Sequence, residues 1–177
     1  MVYVAFLRAI NVGGHAAVKM TDVRDAFVGA GCKNVTTVIQ SGNVIFEAAA
    51  SGRAALARRI CQQLEPLIGK DPGVFIRTKD DLAALVAADR FKKFAREDNV
   101  KLYVAFLAGK PTRAPRLPLR DDKEHLELFA TSSNDAFIVS RRKPKGFYGF
   151  PNAFVEKAFG VKATSRNWST VQKIASI

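Results

Sequence analysis

The chain reads as an α+β protein made of two related halves in tandem, and three observations carry that reading. Tyr3-Val4-Ala5-Phe6-Leu7 returns intact as Tyr103-Val104-Ala105-Phe106-Leu107. Each copy is followed by a matching succession of β-branched runs and helical spacings. Each half also closes on a short strand with a capping residue behind it. Self-similarity over the length of a small domain is the mark of a duplicated unit.

In the first half, residues 2–7 form an apolar strand, and a Gly13-Gly14 loop follows. Met20, Val23, Phe27 and Ala30 then recur at helical spacing over 19–30, with Gly31 placed to stop the helix. The β-branched stretch 34–40, the Ser41-Gly42 turn and the stretch 43–47 read as a hairpin. Ser51 caps a helix carrying Leu56, Ile60, Leu64 and Leu67. Pro72-Gly73 opens a strand over 74–77. Thr78 and Asp81 stand at capping-box spacing before a last helix over 79–88. The order is β-α-β-β-α-β-α, and its first six elements make a ferredoxin-like (α/β plait) unit.

The second half repeats this order with one replacement. Pro111, Pro115 and Pro118 exclude a helix after the repeated strand. A hairpin follows over 124–130 and 136–140, with its turn at 131–134. A basic loop leads to Pro151 at the start of a helix that ends at Gly160. A strand over 161–165 and a terminal helix capped by Asn167 complete it. The order is β-loop-β-β-α-β-α. The sequence therefore divides into a half over 1–90, a link over 91–99 and a strongly basic half over 100–177.

Charge is the other strong feature. The 177 residues carry a net charge of +12 with 48% hydrophobic residues, enough for a globular core. Residues 1–100 hold 14 Lys and Arg against 10 Asp and Glu, whereas 101–177 hold 14 against 6. Over 136–177, eight cations face Glu156 alone. Such a field attracts nucleic acid, phosphorylated metabolites or acidic proteins, although it also serves plain solubility. The apolar runs fall far short of a bilayer span, and the N-terminal run reads as a strand rather than a signal peptide. Cys32 and Cys61 are isolated, which suits a reducing compartment. His15 and His125 have no ligands at metal spacing. A cytoplasmic chain without membrane contact, metal or cofactor is expected, and its oligomeric state is not legible.

Three ordered blocks resemble a known family. They are Phe6-Leu7-Arg8-Ala9-Ile10-Asn11-Val12-Gly13-Gly14, then Gln40-Ser41-Gly42-Asn43-Val44-Ile45-Phe46. The third runs from Phe150-Pro151-Asn152-Ala153-Phe154-Val155-Glu156-Lys157 through Thr164-Ser165-Arg166-Asn167-Trp168. Together they resemble the bacterial domain of unknown function 1697, with Ala9 standing where that family usually has glycine. The resemblance implies a bacterial cytosolic protein of ferredoxin-like architecture. It implies no activity, cofactor or catalytic residue.

Two candidate sites follow from the residues themselves. In a right-handed β-α-β unit the first two strands are parallel, so their C-terminal ends share a rim. That rim gathers Arg8, Asn11, Gly13, Gly14, Ser41 and Asn43, where glycine backbone and a helix start suit an anion. Gly-Gly connections and Ser-Gly-Asn turns are also routine without a ligand. The second candidate is the loop carrying Arg141, Arg142, Lys143, Lys145, Phe147 and Tyr148. Cations interleaved with aromatic rings suit phosphates and stacked bases, or else form a solvated loop whose rings tuck under the last helices.

Enzyme chemistry has less to build on, and whether the chain is an enzyme stays open. Asp80-Asp81 and Asp121-Asp122 read as caps and solvated charges. His125 shares a face with Glu127 if both stand on one strand. Trp168, beside Arg166, reads as a core residue. The first functional reading is an anion-binding protein whose partner is nucleic acid. The alternatives are a small enzyme acting on a phosphorylated metabolite at the Arg8/Gly13/Ser41 rim, and a protein-interaction module without a ligand.

Overall fold

A computed structural model describes residues 1–8, 10, 18–38, 42–50, 52–69 and 72–177. It divides into two compact units, Met1–Leu82 and Ala83–Ile177. Both mix helices with strands, and the described strands form two antiparallel sheets, one of four strands and one of five.

The first unit runs β1 (Val2–Leu7), α1 (Met20–Gly29), β2 (Lys33–Val38), β3 (Asn43–Glu47), α2 (Arg53–Ile68) and β4 (Val74–Thr78). Its sheet order is β2-β3-β1-β4. Strand alternation sends Tyr3, Ala5 and Leu7 of β1 to one face. There they meet Val23 and Phe27 of α1 and Leu56, Ile60 and Leu64 of α2. The helical spacing of these residues is what turns both helices onto the sheet. Phe27 presents its edge to Phe46 at 5.1 Å, and Tyr3 stacks on Phe46 at 5.7 Å. Helix α3 (Lys79–Ala87) begins with the reciprocal cap expected of Thr78 and Asp81. The Thr78 N–H donates to Asp81 Oδ2 at 2.9 Å, and the Asp81 N–H donates to Thr78 Oγ1 at 3.0 Å.

The second unit contains β5 (Val100–Leu107), β6 (Leu119–Asp121), β7 (Leu126–Thr131), β8 (Asp135–Arg141), α4 (Asn152–Phe159), β9 (Ala163–Asn167) and α5 (Trp168–Ser176). Its sheet order is β6-β7-β8-β5-β9. Tyr103, Ala105 and Leu107 face Leu128, Ile138, Val155 and Phe159 in one core. A separate aromatic group joins Phe91, Phe94, Phe129, Phe137 and Trp168, with Phe91 at 5.1 Å from Trp168 and 5.7 Å from Phe137. The stretch 91–99, read from the sequence as a link, holds a 3-10 turn at Lys92–Phe94, and Phe91 and Phe94 are buried in this unit.

Strand β6 corrects the order read from the sequence. The prolines do exclude a helix, but the connection does not pass directly into the hairpin. Leu119, Arg120 and Asp121 pair with Leu128, Glu127 and Leu126 as an edge strand. Three residues behind a proline are too few to show an alternating pattern. Strand β7 starts at Leu126, two residues later than expected, because His125 takes a positive φ of 54° in the preceding turn. His125 and Glu127 therefore do not share a strand. The last strand begins at Ala163, because Gly160 ends α4 in the left-handed conformation.

The two units correspond strand by strand. β7-β8-β5-β9 repeats the order β2-β3-β1-β4, with β6 added outside. Phe6 pairs with Asn43 and Phe75, and Phe106 pairs with Asp135 and Thr164. The β2–β3 and β7–β8 ladders each shift register at the matching place, between Lys33 and Thr36 and between Leu128 and Ala130. Arg77 stands opposite Val4, and Arg166 opposite Val104. Arg77 is buried. Burial lowers the pKa of Arg166 to about 10, and its Nη1 donates to Thr164 Oγ1 and the Ser165 carbonyl, each at 2.9 Å.

Candidate nucleic-acid interface

The basic loop leaves β8 and returns to α4 through a tight reversal. The Lys143 N–H donates to the Phe147 carbonyl at 2.8 Å, and the Gly146 N–H donates to the Lys143 carbonyl at 2.8 Å. Ser140 Oγ donates to the Gly149 carbonyl at 2.9 Å, which ties the far end of the loop back to β8. With both limbs fastened, the tip presents its side chains outward. Phe147 is 70% exposed and Phe150 is 56% exposed. Lys101 of β5 places its ammonium 4.6 Å from the centre of the Tyr148 ring. Tyr103 meets Phe150 edge-on at 5.7 Å, and burial raises the Tyr103 pKa, with Tyr148 adding to the effect.

The cations are not equivalent, which corrects the picture of an uncompensated run. Arg141 Nη1 lies 3.1 Å from Glu127 Oε2, and its Nη2 lies 3.5 Å from Glu97 Oε2. Lys143 Nζ lies 2.8 Å from Glu124 Oε2. Carboxylates remote in sequence thus neutralise these two. Arg142 donates to Asn99 Oδ1 at 3.5 Å, and among the described residues neither it nor Lys145 has a carboxylate partner. Lys101, the cation that completes the patch, was missed because it lies on a strand far from the run.

The rim in the first unit is described at Arg8 and Asn43; Asn11, Gly13, Gly14 and Ser41 lie outside the described residues. The Leu7 N–H donates to the Gly42 carbonyl at 2.7 Å, and the Arg8 N–H donates to the Gly73 carbonyl at 2.9 Å. Gly42 has φ +73°, and a Cβ there would stand 3.1 Å from Leu7 Cβ. Asn43 is 1% exposed, and its Nδ2 donates to the Val38 carbonyl at 3.1 Å, closing the β2–β3 turn. The second unit repeats the backbone lacing without glycine. Leu107 N–H donates to Asn134 and Ala108 N–H to Lys162, each at 2.9 Å.

Some of the remaining chemistry-bearing residues have structural partners. Asp81 also meets Arg53 at 3.1 Å, and Asp121 Oδ1 accepts the Glu124 N–H at 3.0 Å. Trp168 is buried in the aromatic group. Both cysteines are free. Cys32 is buried, which pushes its thiol pKa up, and Cys61 Sγ donates to the Pro72 carbonyl at 3.0 Å. No helix among the described residues is long and apolar enough to cross a membrane.

Sheets, helices and loop define a class first: a two-unit α+β protein with antiparallel sheets and a basic, aromatic loop on its second unit. The chain belongs to the family described as Protein of unknown function (DUF1697), whose model matches residues 1–137. The blocks around Phe150 and Thr164 lie beyond the matched stretch. Among solved structures, the chain is similar to conserved bacterial protein SP0830 from Streptococcus pneumoniae. The two are 19% identical with a TM-score of 0.61, covering 99% of this chain and 97% of that one, a likeness of fold. No curated protein matches.

Proposed function

We propose that this protein binds single-stranded nucleic acid through the loop at residues 141–150. The observation that carries the reading is the exposure of Phe147 and Phe150 beside Arg142, Lys145 and the Lys101–Tyr148 pair. Solvent-facing rings next to cations offer base stacking and phosphate contact together, which a paired duplex cannot use in the same way. Arg141 and Lys143, already held by carboxylates, position the loop rather than meet the strand. In the Arg8 rim, the Asn43 amide is engaged inside a turn.

Filter binding of a short single strand across a salt series tests this. Each phosphate contact adds about 0.7 to the slope of log affinity against log salt for single strands. Arg142→Ala with Lys145→Ala should flatten the slope by about 1.4, whereas Arg141→Ala with Lys143→Ala should change it far less. Equal slopes for wild type and the first double variant would remove the loop as the contact surface.

The two units are a tandem duplication of one ferredoxin-like plait, a view supported by the shared strand order, the matching register shifts and the paired arginines. A duplication in which one copy keeps the frame and the other gains the loop separates folding from binding. The cytoplasm is the compartment proposed, in keeping with the two free cysteines.

A further inference from the structure

The second unit contains an opening where the first unit has a helix. After β1 the chain forms α1, whose Val23, Ala26 and Phe27 are buried in the core of that unit. After β5 the chain instead follows a proline-rich connection fastened to the end of α4. The Thr112 and Arg113 N–H groups both donate to the Phe159 carbonyl, at 3.0 and 3.1 Å. Arg113 Nη1 donates to the Lys157 carbonyl at 3.2 Å. At Gly160, a Cβ would run into Thr112 Oγ1, so only glycine lets the connection lie this close. Pinned at that end, the connection does not fill the space beside α4. A groove of about 780 Å³ remains between the connection, β6 and α4.

The lining of this groove is chemically sorted. Leu119, Phe154 and Ala158 give it an apolar floor, and Phe154 packs its other side against the core. Arg113 and Lys157 stand on the side of the connection and helix. Asp121 and Asp122 stand on the side of β6. Among the described residues Arg113 and Lys157 have no carboxylate partner, and Asp122 has no cation. Arg120, also in the lining, is drawn to Glu127 at 3.4 Å. The volume falls within the range of small-molecule sites, roughly 300–1,000 Å³, whose usual build is an apolar bed with a few polar groups.

We infer that this groove is a site for a nucleoside monophosphate, or a ligand of the same chemistry. A flat ring lies on Phe154 and Leu119, a phosphate meets Arg113 and Lys157, and an exocyclic amine donates to Asp122. The site shares no residue with the 141–150 loop and does not rest on the nucleic-acid reading.

Isothermal titration of the full chain with AMP tests it, with adenosine and ribose 5-phosphate as the two halves of the probe. AMP should bind saturably and at least tenfold tighter than either half. Arg113→Glu with Lys157→Glu, both exposed positions, should weaken AMP at least tenfold while the far-UV spectrum stays native. Asp122→Asn should weaken it severalfold, and Arg142→Ala with Lys145→Ala should leave it unchanged. The assignment is overturned by absence of saturable AMP binding, by unaltered affinity in the Arg113/Lys157 variant, or by loss of binding in the loop variant. Failure of the nucleic-acid reading with AMP binding retained would leave the groove standing.

Discussion

The two units cover the same sheet face by different means. In the first, α1 and α2 lie over the sheet, and the core closes around Phe27. In the second, one helix, a tethered connection and an added edge strand do the work, and a groove stays open. Charge follows the same division. Residues 1–82 carry 10 Lys and Arg against 7 Asp and Glu, whereas 83–177 carry 18 against 9. The strand frame, with its register and its lacing at the end of the central strand, is common to both. The helical layer is the negotiable part. A sheet whose hydrogen bonds and inner-face apolar residues are complete tolerates a changed cover, and the changed cover is where a ligand can be admitted.

That contrast can be broken most sharply at the aromatic residues of the cover. Phe27→Ala should cost about 3–5 kcal/mol, the usual range for emptying a fully buried ring. Phe154→Ala should cost only about 1 kcal/mol, because that ring already borders solvent. Urea unfolding followed by far-UV circular dichroism, with Trp168 fluorescence reporting the second unit, gives both values. Equal losses would mean that the connection seals its sheet as well as a helix does.

A smaller effect examines the common frame. Arg77→Met and Arg166→Met should each destabilise by about 2 kcal/mol, since each removes a hydrogen-bonded guanidinium, buried at Arg77 and half-buried at Arg166. The measurement is again urea unfolding, and the quantity of interest is the difference. A gap well above about 1 kcal/mol would show that equal register does not mean equal surroundings. The smallest effect concerns the helix starts. Thr78→Ala should cost about 1 kcal/mol, because Thr78 and Asp81 cap each other reciprocally. Asn167→Ala should cost a few tenths, because Asn167 occupies the same position without a side-chain cap bond.

Much of the frame was legible in the residues, for local reasons. Helical spacing placed α1 and α2, the Thr78/Asp81 spacing placed the start of α3, and the intact Tyr-Val-Ala-Phe-Leu repeat marked both central strands. The equivalence of β4 and β9 was legible from element order but not from residue identity. Val74-Phe75-Ile76-Arg77-Thr78 and Ala163-Thr164-Ser165-Arg166-Asn167 share only an arginine, and pairing with the central strand is what aligns them. The cation run was legible as charge but not as availability. Glu124 and Glu127 reach Lys143 and Arg141 only once β7 and β8 pair, Glu97 reaches Arg141 only once β5 pairs with β8, and composition counts nothing across a sheet. Exposure of Phe147 and Phe150 was equally hidden, because an aromatic residue in a loop carries no sign of which way it faces. Of the proposed rim, Arg8 and Asn43 can be placed, and the short-range needs of a turn account for Asn43.

The matched register shifts have a consequence for life at high concentration. β2 and β6 are the outermost strands on their sides of the two sheets. An outermost strand is a template on which a stray chain can crystallise into an aggregate. β2 answers with its irregular stretch between Lys33 and Thr36, where Asn34 takes φ +50° and twists the backbone out of line. In the second unit the corresponding irregular strand, β7, is shielded by β6, a strand of three residues with the charged Arg120 at its middle. At these two edges an intruding strand would find a broken ladder on one sheet and almost no ladder on the other. Resistance to edge pairing at β2 and β6 is therefore written into strand geometry, alongside the chain's surplus of positive charge.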